Sequence, residues 1–107
     1  MFAMTMSLRM PGLLDGLIEE LESTPSSSRR ARLIRKLALS HMPQVIGTIS
    51  PFLAAEGRVL AACVDALVSF GEDARAPMLD ILGSPHRREL HRGAVRVLAE
   101  IVRADGG

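Results

Sequence analysis

The chain has 107 residues, 48% of them apolar, and a formal net charge of +1 at pH 7. That length makes one domain, able to bury roughly two-thirds of the surface its unfolded chain exposes. The near-balanced charge argues against wholesale polyanion binding and leaves only local patches. With no Trp or Tyr and only Phe2, Phe52 and Phe70 as aromatics, the core is aliphatic, which suits close-packed helices better than strands.

Cys63 stands alone, so there is no intrachain disulfide; on an apolar segment it acts as a small hydrophobe. No basic n-region precedes an apolar run at the start of the chain, so no secretory signal is visible. The longest uncharged run, Leu37 to Ala55, contains Pro43 and Pro51 and several polar groups. It reads as a helix–loop–helix passage and not as a membrane span. A cytoplasmic location is the expectation.

In chain order, residues 1–10 read as a flexible leader, in which Met4, Met6 and Met10 leave the true start open. Pro11 suits a first helical turn. Leu13, Leu14, Leu17, Ile18 and Leu21 follow at helical spacing, with Asp15, Glu19, Glu20 and Glu22 outward. The run Ser23 to Ser28 is a turn. The second helix, about Arg29 to Leu39, starts at a Ser cap. Ala31, Leu33, Ile34, Leu37 and Ala38 share one side, and Arg29, Arg32, Arg35 and Lys36 share the other. A third helix, about Pro43 to Ala55, carries Pro51, which should bend or interrupt it.

After the turn Glu56-Gly57-Arg58 comes the segment around which the chain is organised, Val59 to Phe70. Its polar positions are Asp65 and Ser69, four apart and on one face. Every other direction is apolar, so the helix must be surrounded by protein. Gly71 ends it. Glu72 and Asp73 open a fifth helix, with Ala76, Met78, Leu79, Ile81 and Leu82 as its apolar side. A sixth runs from about Arg87 to Ala104. It sets Leu90, Ala94, Val97, Leu98 and Ile101 against Arg88, Arg92, Arg96 and Arg103 with Glu89 and Glu100. Residues 105–107 are a polar tail.

Six helices without an alternating strand pattern make an all-α domain over residues 11–104. Pro11, Pro43 and Pro77 recur in the first helix of each pair, and Leu37, Leu67 and Leu98 in the second. These are three helix–turn–helix units, and the middle one holds the most apolar helix, as stacked repeats require.

In the last unit, Pro77, Leu90, Ala94, Leu98 and Ile101 stand as in a HEAT repeat, with His91 where that family usually has Arg. The middle unit fits through Pro43, Cys63, Leu67 and Phe70. In the first, Leu33 replaces a small residue and Ser40 an apolar one. The chain thus resembles the HEAT-repeat, armadillo-like family over most of Pro11 to Ile101. The resemblance implies a short right-handed α-solenoid of about three helical hairpins, whose second helices line a concave, protein-binding surface. Arg29, Arg32, Arg35 and Lys36 would lie at one end of that surface and Arg88, Arg92 and Arg96 at the other. Between them would be a nearly neutral stretch around Asp65 and Ser69, with the acidic face of the first helix on the convex back.

The expected function is a non-enzymatic protein-interaction module, an adaptor or scaffold whose basic face docks an acidic partner or another copy. Its candidate partner-binding residues are Arg29, Arg32, Arg35, Lys36, Asp65, Arg88, Arg92 and Arg96. An ordinary solvated face is the plainer account of the Arg29–Lys36 run. Two alternatives are a nucleic-acid-binding HEAT-like protein and a lyase-like accessory enzyme of the same fold. The first is disfavoured by the lack of stacking aromatics and the balanced charge. The second is disfavoured by the lack of a recognisable catalytic set. His86 and His91, five apart, do not share a helix face, so no metal is expected, nor any cofactor. A three-unit stack leaves its two end faces without dedicated caps, so self-association or a partner is expected to cover one of them.

Overall fold

The computed structural model describes the backbone of residues 2–106 and the side chains of residues 13–104. Within them lie six α-helices, two 3₁₀ segments and no strand. Helix α1 (Phe2–Ser23) begins nine residues before Pro11 and takes in most of the segment expected as a leader. Seven of the ten residues 1–10 are Met, Ala, Leu or Arg, four of them Met, and those residues favour helix. Of the apolar residues expected to bury α1, Leu21 alone is fully enclosed. Leu14, Leu17 and Ile18 are half-buried and Leu13 is exposed.

Helix α2 (Ser27–Ala38) is capped as its sequence suggests. The Ser26 hydroxyl accepts a hydrogen bond from the Arg29 N–H at 3.2 Å. Ser26→Ala leaves that donor without its partner and should destabilise the fold by about 1 kcal/mol, measured by urea titration. The buried side is Ala31, Leu33, Ile34, Leu37 and Ala38, as the helical wheel requires. Arg30, between the two faces, lies over the Phe52 ring at 5.9 Å and so links α2 to residues 50–54. His41, with φ 56°, turns the chain out of the helix.

Pro51 does interrupt the third helix. Helix α3 (Val45–Ile49) gives way to a 3₁₀ segment, Ser50–Ala54. The buried Ser50 hydroxyl donates to the Ile46 carbonyl at 2.7 Å, which satisfies a polar group inside the core.

Helix α4 (Gly57–Ser69) is the centre of the molecule. It packs against α2 on one side and α6 on another. Val59, Ala62, Cys63, Val64, Ala66 and Leu67 are buried, and Asp65 and Ser69 face out. The Cys63 thiol donates to the Ile49 carbonyl at 3.2 Å, and burial pushes its pKa up to about 12. An unfolded thiol ionises near the ordinary value of 9.0, so between pH 9 and 12 the unfolded state loses a proton that the native state keeps. Stability therefore falls as pH rises through that window. The chain has no Tyr, so no phenol contributes in that window. Cys63→Ala should flatten the fall, as followed by denaturant midpoints from pH 7.5 to 10.5.

Gly71, with φ 57°, joins α4 to α5 (Glu72–Leu82) in a conformation that favours glycine. The apolar side of α5 is Ala74, Met78 and Ile81, whereas Ala76 and Leu79, expected inside, are exposed. Spacing i, i+4, i+7 puts the first three on one stripe and turns the other two away. Pro77 sits in the second turn of α5, beyond the first-turn position where its missing N–H costs nothing.

The last helix starts later than expected. Pro85–Leu90 is a 3₁₀ segment, Arg87 departs from helical geometry (φ −112°, ψ 35°), and α6 runs His91–Gly106. The His91 ring nitrogen Nε2 lies 3.0 Å from the Ser84 carbonyl across that turn. Leu90, Ala94, Val97 and Ile101 are buried, with Leu98 at the margin. Helix α6 packs on α4 and α5. No helix among the described residues is long and apolar enough to cross a membrane.

Candidate anion-binding groove

The packing of α2 on α4 brings Ser28, Ala31, Arg32 and Arg35 of α2 to Arg58, in the first turn of α4. Together they line an open groove of about 590 Å³. Arg58 Nη1 donates to the Ser28 hydroxyl oxygen at 2.6 Å, bridging the two helices. Arg35 Nη2 lies 3.5 Å from Asp65 Oδ2, and Arg32 makes no ion pair among the described residues. Three guanidinium groups therefore line the groove, and the one carboxylate paired with any of them is Asp65, on Arg35, leaving an excess of two positive charges.

The Arg35–Asp65 pair is solvent-exposed, with side chains 54% and 71% accessible. An ion pair in that setting contributes between zero and about 1 kcal/mol. Asp65→Ala is accordingly expected to change unfolding free energy by less than about 0.5 kcal/mol in a urea titration.

Arg35 also borders a second, apolar depression of about 370 Å³, with Ala38, Leu39, His41, Asp65, Ala66 and Ser69. Leu39 is 74% exposed, the most accessible of the large apolar side chains among the described residues. A third hollow of about 320 Å³ gathers Arg88, Arg92 and Arg96. There Glu56 and Glu89 stand among the arginines and offset most of their charge.

The eight residues singled out in the sequence thus divide. Arg32 and Arg35 line the α2–α4 groove, with Asp65 paired to Arg35, and Arg88, Arg92 and Arg96 come together in the hollow beside α6. Arg29 is paired with Glu20 of α1, through both Nε and Nη2. Glu20 is therefore engaged with the second helix and is not part of a free acidic back. Lys36 is exposed and lines none of the three depressions. The stretch between the two basic groups is not neutral, because Arg58 stands in it. Arg58 is seven residues before Asp65, two helical turns along the same stripe. That spacing was the available signal, and reading Glu56-Gly57-Arg58 only as a turn hid it.

Glu100 pairs with Arg103 within α6 at 3.2 Å. Among the described residues no three His, Cys, Asp or Glu side chains are grouped to hold a metal ion. None of the family models, curated proteins or solved structures compared with this chain gives a significant match.

Proposed function

We propose that this chain is a small protein-interaction module that docks an acidic segment of a partner along the α2–α4 groove. The observation that carries the reading is the convergence of Arg32, Arg35 and Arg58 on one open groove against the single carboxylate of Asp65. Guanidinium groups bind carboxylate and phosphate through paired, directional hydrogen bonds. On this reading the helices form three hairpins stacked as in HEAT-like proteins: α1 with α2, α3 and its 3₁₀ extension with α4, and α5 with α6. Packing of α2, α4 and α6 in sequence order supports that arrangement. The exposed Leu79, Val95 and Val102 of the last hairpin support self-association through an end face, which sedimentation velocity at two concentrations would detect.

The test is affinity capture after nuclease treatment, with the native chain beside Arg32→Glu/Arg35→Glu/Arg58→Glu. A partner retained by the native chain, lost with the variant and displaced by its own acidic segment as a synthetic peptide is the expected result. Retention unchanged by reversal would reduce the groove to a solvated surface. Capture abolished by nuclease would indicate nucleic acid instead.

A further inference from the structure

Resting on that docking reading, we infer that the α2–α4 groove takes a phosphorylated side chain of a partner peptide, with an apolar side chain about three residues away. Charge is the first argument. A phosphoserine carries about −1.5 to −2 at neutral pH, against −1 for Asp or Glu. The groove's excess of two positive charges matches a phosphomonoester more closely than a single carboxylate.

Hydrogen bonding is the second argument. The Ser28 oxygen already accepts from Arg58, so its own O–H is left to donate. An ionised carboxylate or phosphate oxygen, which only accepts, suits it, and a phosphate brings three such oxygens where a carboxylate brings two. Arg32 and Arg58 line the same groove, and a planar guanidinium can offer a forked pair of N–H groups to phosphate.

Shape supplies the third. Arg35 borders both the basic groove and the apolar depression at Leu39. From Arg32 to Leu39 is seven helical residues, about 10 Å at 1.5 Å each. An extended peptide covers that distance in about three residues. Ala38, Leu39 and Ala66 would receive an aliphatic side chain there, covering an apolar surface that is otherwise open to water.

A nucleic-acid backbone fits less well. It needs a continuing line of cations, whereas the hollow beside α6 interleaves Glu56 and Glu89 with its arginines. The only aromatics among the described residues, Phe52 and Phe70, are half-buried and do not line the groove.

The experiment offers the full chain three immobilised 11-residue peptide libraries with randomised flanks, centred on phosphoserine, Glu or Ser. Retention by the phosphoserine library at least tenfold above Glu is expected, with Leu, Ile, Val or Met enriched three residues from the phosphoserine. Arg32→Ala/Arg58→Ala should abolish retention while the variant stays folded by far-ultraviolet circular dichroism, its midpoint lowered only by loss of the exposed Arg58–Ser28 bond. Leu39→Ser should keep the phosphate requirement and lose the apolar preference. Equal retention by the phosphoserine and Glu libraries would overturn the phosphoryl assignment and leave acidic docking standing. Retention by neither would overturn both. Inorganic phosphate competing as well as the selected phosphopeptide would make this a free-anion site. Displacement by duplex DNA or RNA at lower concentration than phosphopeptide would also overturn the assignment.

Discussion

Leu67→Ala should lower unfolding free energy by about 3 kcal/mol, within the roughly 2–5 kcal/mol spanned by buried Leu truncations. Leu67 is wholly inaccessible on α4 and belongs to the main core cluster. Its helix is held by α2 and α6, so neighbours on both sides must move to fill the cavity. Close-packed interiors relax only partly, and the residual void adds its own cost to the lost transfer energy. For a domain of this size the expected fall in midpoint is about 10–20 °C, measured by far-ultraviolet circular dichroism. A fall below about 3 °C would mean that α4 is not the centre of the core. Val68→Ala is the natural comparison, because Val68 is half-buried on the same helix, and it should cost less than half as much.

The second large effect is at Gly93. Replacing a helical Gly with Ala ordinarily adds about 1 kcal/mol of stability through backbone entropy. Here the sign reverses. A Cβ on Gly93 would meet Leu53 Cδ2 at 2.8 Å and Leu53 Cβ at 2.9 Å. The Cδ2 could swing aside, but Cβ moves only with the backbone of the 3₁₀ segment. Overpacking of this kind costs roughly 1–3 kcal/mol, which exceeds the propensity gain. Gly93→Ala is expected to destabilise by about 1 kcal/mol net, and Gly93→Val by more, since it adds two methyl groups and a β-branch. Gly16→Ala is the control: no heavy atom lies within 4 Å of its added Cβ, so it should stabilise by up to about 1 kcal/mol. Equal and opposite shifts in urea midpoint for the two Ala variants would show that the contact with Leu53 decides the sign.

Much of this organisation is written locally. The two polar positions of α4, four residues apart, predicted a helix surrounded by neighbours with one open stripe, and Asp65 and Ser69 are that stripe. Pro51 and Gly71 each act where their backbone chemistry requires. What escaped the sequence depends on partners distant in the chain. Leu79 has the hydropathy of a core residue, but the helical phase set by Ala74, Met78 and Ile81 turns it to solvent. Gly93 reads as a weak point in a helix until Leu53 is placed against it. Arg29 looked equivalent to Arg32 on a helical wheel, yet the return of α1 brings Glu20 to it. Arg58 looked like part of a turn, although it completes the groove by reaching Ser28, thirty residues earlier. Periodicity reports which way a side chain faces and is silent on what waits there.

The docking of an acidic segment proposed for the α2–α4 groove carries a residue-level expectation. The most direct measurement is a titration of the ¹⁵N-labelled chain with an acidic peptide, followed through its backbone amide resonances. Saturable shifts concentrated in residues 27–39 and 57–69, and removed by Arg32→Glu/Arg58→Glu, are the predicted result. Shifts centred on α6, or small shifts spread over every exposed residue, would contradict it.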